Sequence, residues 1–235
     1  MTQWRLPLSL DLIDKRQIRS FVTRQGRLTK GQRLALEESW QDFGVELNAI
    51  DSLIAQFSDY DAVVLEIGFG NGQSLAQMAQ AAPNTLFIGV EVHQPGVGAL
   101  LQQLRERTLS NVRICYADAR DVLQALPIQS LDRVQIFFPD PWPKKRHHKR
   151  RILQPEFVMK IVERLKAGAA VHCATDWLPY AEFMLETLSA SPTLVNQQPL
   201  NQPFGTRPTY RPPTKFERRG EKLGHGVYDL IFHRK

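Results

Sequence analysis

The sequence predicts an α/β fold in which helices cover both faces of a doubly wound, mostly parallel, seven-stranded sheet, preceded by an N-terminal arm. Two observations carry this prediction. Five short β-rich runs alternate with helix-like segments between about residue 61 and residue 190. Two more strand-like runs follow near the C-terminus, separated by a loop rich in Pro, Lys and Arg. Helices between parallel strands supply the right-handed crossovers that such a sheet needs.

The first 60 residues lack a strand pattern and are strongly basic. Between Lys15 and Arg33 there are seven Lys or Arg residues and no acidic residue. Leu34, Leu36 and Trp40 recur at helical spacing. We therefore expect an N-terminal basic arm and helix over residues 1–60, followed by one domain over residues 61–235.

Each later element is predicted from its own pattern. The strands are expected at Val63–Ile67, Leu86–Val90, Val112–Tyr116, Arg133–Phe138, Ala169–Ala174, Leu194–Gln198 and Val227–His233. The helices are expected at Gln73–Ala81, Gly96–Arg107, Ala119–Leu126, Glu156–Lys166 and Leu178–Ser189. The alternation predicts the strand order 3-2-1-4-5 for the first five strands.

The two cysteines are expected to be reduced core residues. Cys115 and Cys173 fall in the third and fifth predicted strands. These strands would be four spacings apart, roughly 19 Å at about 4.8 Å per spacing. The sequence therefore predicts neither a disulfide nor a paired metal site.

A glycine-rich motif follows the first predicted strand, with glycines at Gly68, Gly70 and Gly72. Glycines between a strand and a helix let the backbone turn tightly and let a ligand lie against it. A dinucleotide-binding fingerprint needs its third glycine at position 73, which is Gln73 here. The spacing therefore argues against a nicotinamide dinucleotide.

Four acids, Glu66, Glu91, Asp118 and Asp140, stand at or just beyond successive strand ends. Such a ring repels a pyrophosphate but suits a ligand with an ammonium group, a sulfonium and ribose hydroxyls. S-adenosylmethionine fits, with Glu91 accepting from the ribose hydroxyls and Asp118 meeting the adenine amino group. Asp118 alone would be interpreted as a helix cap. The four together favour a binding site.

The segment Phe137–Lys144 reads Phe-Phe-Pro-Asp-Pro-Trp-Pro-Lys. Asp140 lies between two prolines, which fix its backbone, and Trp142 offers a flat surface on which a base can stack. The alternative is a proline-rich turn with a buried tryptophan. Six cations between Lys144 and Arg151 favour the binding interpretation, because phosphates would arrive there.

These motifs resemble the bacterial tRNA (guanine-N7)-methyltransferases over the chain from about Arg19 to the end. Besides the motifs above, the resemblance rests on Gly89–His93 with Pro95 and Gly96, Thr175–Trp177, Thr214–Glu217 and the arm residues Arg24–Lys30. It implies a Rossmann-like class I methyltransferase fold. One small departure is that Lys144 and Lys145 follow Pro143 where more variable residues are expected.

The resemblance implies a role for each matching residue. Glu66, Glu91, Asp118 and Asp140, with the three motif glycines, would bind the cofactor, and Asp140 would be catalytic. Substrate contacts would come from Lys144, Asp176, Thr214, Lys215, Phe216 and Glu217. RNA contacts would come from Arg146, His147, His148, Lys149, Arg150 and Arg151. Thr214–Glu217 also matches a helix capping box, although Pro212 and Pro213 favour a loop that closes on the target.

The expected reaction is methyl transfer from S-adenosylmethionine to N7 of a guanine in tRNA, at position 46 of the variable loop by resemblance. We expect a cytoplasmic protein, monomeric or homodimeric, without a membrane segment or metal. Two rival hypotheses stay open. A small-molecule methyltransferase would act on free nucleosides independently of salt. A noncatalytic RNA-binding protein with a vestigial pocket would bind tRNA regardless of the cofactor.

Overall fold

The computed structural model describes residues 20–21, 26–214, 217 and 226–235. Its centre is a seven-stranded sheet with the order β3-β2-β1-β4-β5-β7-β6. The first five strands are parallel, and β7 lies antiparallel between β5 and β6. The strands are β1 Ala62–Ile67, β2 Thr85–Glu91, β3 Val112–Tyr116, β4 Leu131–Phe137, β5 Leu165–Thr175, β6 Leu194–Asn196 and β7 Tyr228–Arg234. The predicted sheet and strand order are confirmed.

The helices alternate with the strands as expected. They are α1 Lys30–Phe43, α2 Ile50–Ile54, α3 Gln73–Ala81, α4 Gln94–Glu106, α5 Ala119–Ala125, α6 Pro155–Arg164 and α7 Leu178–Ser189. Short 3₁₀ helices occupy Leu47–Ala49, Phe57–Asp59 and Lys145–Arg150. Within the described part of the chain, none of these helices has the length and apolar character needed to cross a membrane.

Strand β1 divides the hydrophobic core into two layers. Val63, Leu65 and Ile67 face the layer under α5, α6 and α7, whereas Val64 faces the layer under α1, α3 and α4. Alternate residues of a strand point to opposite faces, so a run of apolar residues satisfies both layers. Helices therefore cover both faces of the sheet.

Helix α1 belongs to this packed structure, although its sequence pattern placed it in the predicted arm. Thr29 and Gln32 form a reciprocal capping box at its start. Leu36 and Trp40 pack into the layer formed with α3 and α4. Beyond the helix, the Val45 amide donates to the Ile114 carbonyl at 2.8 Å. The segment after α1 thus covers the edge of β3.

Strand β5 starts earlier than predicted. It begins at Leu165, within the end of a predicted helix, and its pairing with β4 shifts register after Leu165. Gly168 lies in this irregularity with φ of 76°. Residues 166–169 read Lys-Ala-Gly-Ala, a composition without β-branched or aromatic side chains, so no local pattern indicates a strand here.

The predicted core positions of the two cysteines are confirmed. Cys115 lies on β3 and Cys173 on β5, and β2, β1 and β4 separate them. Both thiols are free and buried.

We expect Gly96→Ala to destabilise the protein through a specific contact. A Cβ at position 96, in the first turn of α4, would lie 2.2 Å from the carbonyl oxygen of Gly70. Although alanine is the better helix former, we expect a loss of about 1–3 kcal/mol from this overpacking. At Gly205 a Cβ would only meet the flexible end of Gln198, at 3.2 Å. The free energy of unfolding of Gly205→Ala, measured by urea denaturation, should stay within about 0.5 kcal/mol of wild type. Equal losses of stability in Gly96→Ala and Gly205→Ala would contradict the prediction.

Candidate functional site

Two clefts open where the parallel strands end, on either side of a shared wall formed by Gly68 and Phe138. The larger has a volume of about 500 Å³ and the smaller about 230 Å³. Because β1 has β2 on one side and β4 on the other, the chain reverses direction across the sheet between β1 and β4. Ligands of open α/β sheets bind at such a switch point.

The four predicted acids divide between these clefts. Glu66 lines the larger cleft, whereas Glu91, Asp118 and Asp140 line the smaller one. The structure therefore brings all four acids to one end of the sheet, as the sequence predicted.

The glycine motif exposes its backbone to the clefts at two of its three glycines. Gly68 and Gly70 have φ of 75° and 60°, and a Cβ on either would meet nothing within 4 Å. A ligand can therefore approach this backbone closely. Gly72 differs, since a Cβ there would lie 2.6 Å from Leu100. Its role in this structure is close packing of the loop on α4.

Glu91 ties the glycine motif to the end of β2. Its carboxylate accepts hydrogen bonds from the amides of Gly70 at 2.9 Å, Val92 at 2.7 Å and His93 at 3.0 Å. Burial raises the pKa of Glu91, and these three backbone hydrogen bonds oppose the rise. A carboxylate has about four acceptor positions, so about one is left for a ligand in this arrangement.

Glu66 lies at the bottom of the larger cleft and is 3% exposed. Gln135 on the neighbouring strand β4 donates to it at 2.8 Å. Burial raises the pKa of Glu66 to about 7, although Gln135 and the nearby charge of Arg133 oppose the rise. A cation entering this cleft would favour the ionised carboxylate.

Asp118 and Asp140 differ in whether their carboxylates accept hydrogen bonds from the protein. Asp118 is buried and caps α5, accepting from the Arg120 amide at 2.9 Å. The cap interpretation is therefore confirmed, and the same residue also lines the smaller cleft. Asp140 is exposed, and no donor from the described residues bonds to it. It is the acid most available to an incoming molecule.

The turn that carries Asp140 is bounded by two aromatic residues with left-handed backbone. Phe138 has φ of 51° and Trp142 φ of 45°, conformations that cost free energy outside glycine. The Phe138 amide donates to the Ala174 carbonyl at 2.8 Å, which ties the turn to β5. Strained backbone held by such contacts is typical of functional sites.

Trp142 is already in contact with protein groups. The Arg150 guanidinium lies 4.9 Å from the indole ring centre, and the His147 ring meets it edge-on at 5.8 Å. The indole N–H donates to the Ser20 carbonyl at 3.2 Å. A base that stacks on Trp142 must use a face that Arg150 leaves open.

The cationic residues beyond this turn form a 3₁₀ helix, and Arg151, which follows it, is turned inward. Lys144, Arg146 and Lys149 are exposed, and His147, His148 and Arg150 are partly exposed. Arg151, however, is 2% exposed, and its guanidinium packs 4.8 Å from the ring centres of both Tyr180 and Phe183. It also donates to the Pro141 carbonyl at 3.0 Å. The prediction that Arg151 contacts RNA therefore needs correction: its side chain supports the turn from within.

The predicted substrate residues are only partly brought together. Thr214 lines the larger cleft. Lys144 and Asp176 are exposed, the latter directly after β5. Lys215 and Phe216 lie outside the described residues, as do Arg24 and Gln25 of the arm motif.

Glu217 also departs from its prediction. It is 2% exposed, and its carboxylate accepts from Arg211 and from the Thr214 amide. The Glu217 amide donates in turn to the Thr214 hydroxyl at 3.1 Å, which completes a capping box. These reciprocal hydrogen bonds are those of the capping-box alternative, which Pro212 and Pro213 made the less favoured of the two interpretations. A carboxylate engaged in this way is held by the protein and does not face a substrate.

A set of polar side chains beside the larger cleft, most of them buried, was not predicted from the sequence. It contains Arg133, Gln135, His172, Tyr210, Arg211 and Asp229. The available signal was weak: Gln135, His172 and Asp229 are polar positions inside otherwise apolar strands. Their partners are up to 69 residues away in sequence, so the sequence alone did not indicate which of them pair.

The site suits a cationic ligand that also carries hydroxyl groups. Acids line both clefts, the backbone at Gly68 and Gly70 is open, and the buried Ser74 hydroxyl oxygen in the larger cleft has no hydrogen-bond partner among the described residues. A set of hydrogen-bond acceptors of this kind favours ammonium groups and ribose hydroxyls over phosphate. No group of three or more His, Cys, Asp or Glu side chains in the described ranges is placed to hold a metal ion.

Comparison with known proteins supplies information that is independent of this geometry. Residues 60–230 match the sequence profile of a family described as putative methyltransferase. A tRNA (guanine-N(7)-)-methyltransferase of Marinobacter nauticus is 53% identical over 222 residues, covering 94% of this chain and 93% of that protein. Another from Burkholderia pseudomallei is 54% identical over 228 residues, covering 94% of this chain and 83% of that protein.

Solved structures support the fold. An antibiotic-related methyltransferase superposes with a TM-score of 0.56 at 17% identity, covering 80% of this chain and 94% of that one. The aminoglycoside resistance methyltransferase NpmB1 superposes with a TM-score of 0.55 at 17% identity, covering 79% of this chain and 93% of that one. The sheet and its helices are thus those of known methyltransferases.

We expect Glu66→Gln to remove one pH-dependent component of stability. The buried Glu66 keeps its proton up to about pH 7, whereas the unfolded chain releases it near 4.5. The folded state therefore binds more protons between these values. The contribution of Glu66 to the free energy of unfolding is fully present below the unfolded-state pKa of 4.5. It is lost as the pH rises through the folded-state pKa of about 7.

Urea denaturation at pH 5 and pH 8 measures this component. The wild type should lose on the order of 2 kcal/mol more than Glu66→Gln between the two conditions. Glu37→Gln, on the exposed side of α1, is the charge-matched control and should behave like wild type. An unchanged pH dependence in Glu66→Gln would show that Glu66 is ionised in the folded protein.

Proposed function

The chain belongs to the tRNA (guanine-N(7)-)-methyltransferase family, and we propose that it transfers a methyl group from S-adenosylmethionine to N7 of a guanine in tRNA. The observation that carries the proposal is the placement of four acids around an open glycine backbone, beside an exposed cationic helix. The acids alone would suit many cationic ligands, and the helix alone would suit any polyanion. Together they provide for a cationic cofactor and an anionic macromolecule at one edge of the sheet.

The residues present fit S-adenosylmethionine. In our proposal Glu91 and Asp118 hold its ribose and adenine in the smaller cleft, and Glu66 faces its ammonium group in the larger cleft. Gly68 and Gly70 offer open backbone between them. When bound, this cofactor supplies a methyl group activated by attachment to a sulfonium.

Guanine N7 has an unprotonated lone pair at neutral pH, so the protein needs no general base before the transfer. Its main task is to position the base in line with the methyl group. Transfer places positive charge on the guanine ring, which a nearby carboxylate stabilises in the transition state. We assign this role to Asp140, which is exposed at the smaller cleft. Asp176 would accept hydrogen bonds from the N–H groups of the base.

Phosphate contacts would come from the exposed face of the 3₁₀ helix. Lys144, Arg146 and Lys149 point outward, and His147, His148 and Arg150 are partly accessible. Local desolvation, and after it the neighbouring cations, lower the pKa of His147 below its ordinary value. A folded RNA would be held here by shape and phosphate. The target at position 46 of the variable loop is part of the proposal.

Nucleoside analysis of tRNA incubated with the protein and methyl-labelled S-adenosylmethionine tests the proposal. The expected product is 7-methylguanosine in tRNA. Label in free nucleosides at a rate independent of salt would instead support a small-molecule methyltransferase. Cofactor-independent tRNA binding without label would support a noncatalytic RNA-binding protein. Mapping the label within the tRNA tests the variable-loop position.

Asp140→Asn should lower the single-turnover rate at saturating tRNA and cofactor by about 100-fold, since one preorganised charge is typically worth that much. The affinities for tRNA and cofactor should stay within about threefold of wild type, because phosphate contacts dominate RNA binding. Asp176→Asn should instead weaken selection of the target base. Single-turnover kinetics and filter binding separate the two effects, and a wild-type rate in Asp140→Asn would end its catalytic assignment.

Lys149→Ala should weaken binding to all tRNAs by a similar factor. It should also reduce the steepness of the plot of log affinity against log salt concentration by about 0.9. Arg113→Ala removes one charge near the beginning of β3, away from the strand ends that form the site, and is the control. Binding curves across salt concentrations measure both variants. Equal slopes for wild type and Lys149→Ala would remove Lys149 from the RNA contacts.

A further inference from the structure

Arg211 is fully buried and binds two carboxylates at once. Its guanidinium donates to both oxygens of Asp229, at 2.8 Å each, and to both oxygens of Glu217, at 2.8 and 2.9 Å. Paired bidentate contacts of this kind fix the position of every group involved. We call these three residues the arginine clamp.

The arginine clamp is anchored in the sheet through Asp229 on β7. His172 on β5 bonds to the Asp229 carboxylate at 2.7 Å, and the Tyr210 hydroxyl bonds to the other ring nitrogen of His172 at 2.9 Å. Burial would raise the pKa of Asp229, but the hydrogen bonds from His172 and Arg211 outweigh it and leave the pKa below its usual value. Asp229 therefore stays an anion inside the protein.

At its other end the arginine clamp reaches the larger cleft. Glu217 accepts from the Thr214 amide at 3.1 Å, and Thr214 lines that cleft. Arg211 also lies 5.7 Å from the ring centres of Phe137 and Phe138, which line it too. One buried cation thus contacts the substrate-facing segment and the wall shared by the two clefts.

Stability alone does not account for this arrangement. Removing three charged groups from water is costly, and well-packed apolar side chains often replace buried ion pairs without loss. Apolar packing, however, would not fix the direction of Thr214 as its hydrogen bonds to Glu217 do. The wall of the cleft needs that direction, because methyl transfer depends on the placement of the base.

We propose that Arg211 and Asp229 are positioning residues for methyl transfer and that Glu217 acts on the substrate only through Arg211. The clamp holds Thr214 and Phe138 at the larger cleft so that the target base is seated in line with the methyl group. This inference rests on the proposed function, since it specifies how the substrate side of that same site is built.

The test compares Arg211→Lys, Glu217→Gln and the double variant in the full-length chain. Lysine keeps the charge but cannot make two bidentate contacts at once, and glutamine keeps the size of Glu217 without its charge. Glu186→Gln, on the exposed side of α7, is the charge-matched control. Thermal unfolding and S-adenosylmethionine calorimetry confirm that each variant is folded with an intact cofactor site.

We expect each single variant to lower the single-turnover rate about tenfold to a hundredfold, with affinities for tRNA and cofactor within about threefold of wild type. The double variant should be no slower than the slower single variant, because both substitutions break one unit. Hydrogen exchange should accelerate over residues 207–214 and stay unchanged in β5. A purely structural role would lower the unfolding temperature without this selective loss of rate.

Multiplicative rate losses in the double variant would overturn the proposal, because they mean that Glu217 meets the substrate independently of Arg211. Wild-type rates despite faster exchange would overturn it as well. If Arg211→Lys does not fold, the single-turnover rate and the hydrogen exchange of Glu217→Gln still test the proposal. Failure of the proposed function looks different: wild-type protein, run in parallel, would then place no label in tRNA.

Discussion

The site depends on burying carboxylates at the carboxyl ends of parallel strands. Glu66 and Glu91 lose most of their hydration there, and burial raises the pKa of both. Three backbone amides compensate Glu91, whereas Glu66 accepts from the side chain of Gln135. The two acids therefore differ in how they can bind a ligand. Glu91 uses most of its acceptor positions to hold the loop, whereas a bound cation would stabilise the ionised form of Glu66.

Much of the fold could be predicted because its signals are local. The runs that became β1 and β2 are apolar at nearly every position, which suits strands covered on both faces. The acids follow strand ends, so their convergence was predictable once the strands were found. The early start of β5 was not, because residues 166–169 lie in the register shift between the pairs of Leu165 and Ala170, and their composition gives no strand signal.

The roles of Arg151 and Glu217 show where sequence patterns stop being informative. Arg151 follows a run of mostly exposed cations, and Glu217 follows Thr214, which lines the larger cleft. Nothing in a run of cations distinguishes the one that turns inward. Tyr180 and Phe183, about 30 residues later in the chain, decide that Arg151 is buried. Arg211 decides the same for Glu217. Charge predicts which molecule is bound, whereas burial decides which charges touch it.

The two clefts meet at Gly68 and Phe138, so a cofactor that occupies both clefts, as we propose, would pass along this wall. Phe138 is fixed there by its bond to Ala174 on β5 and by the cation beneath its ring. Its left-handed backbone is tolerated because these contacts determine it. A reaction that needs no proton transfer from the enzyme has little use for a tuned acid or base. What it needs is fixed placement of the two partners, and the buried Arg211 and Asp229 behind Phe138 help to supply that rigidity.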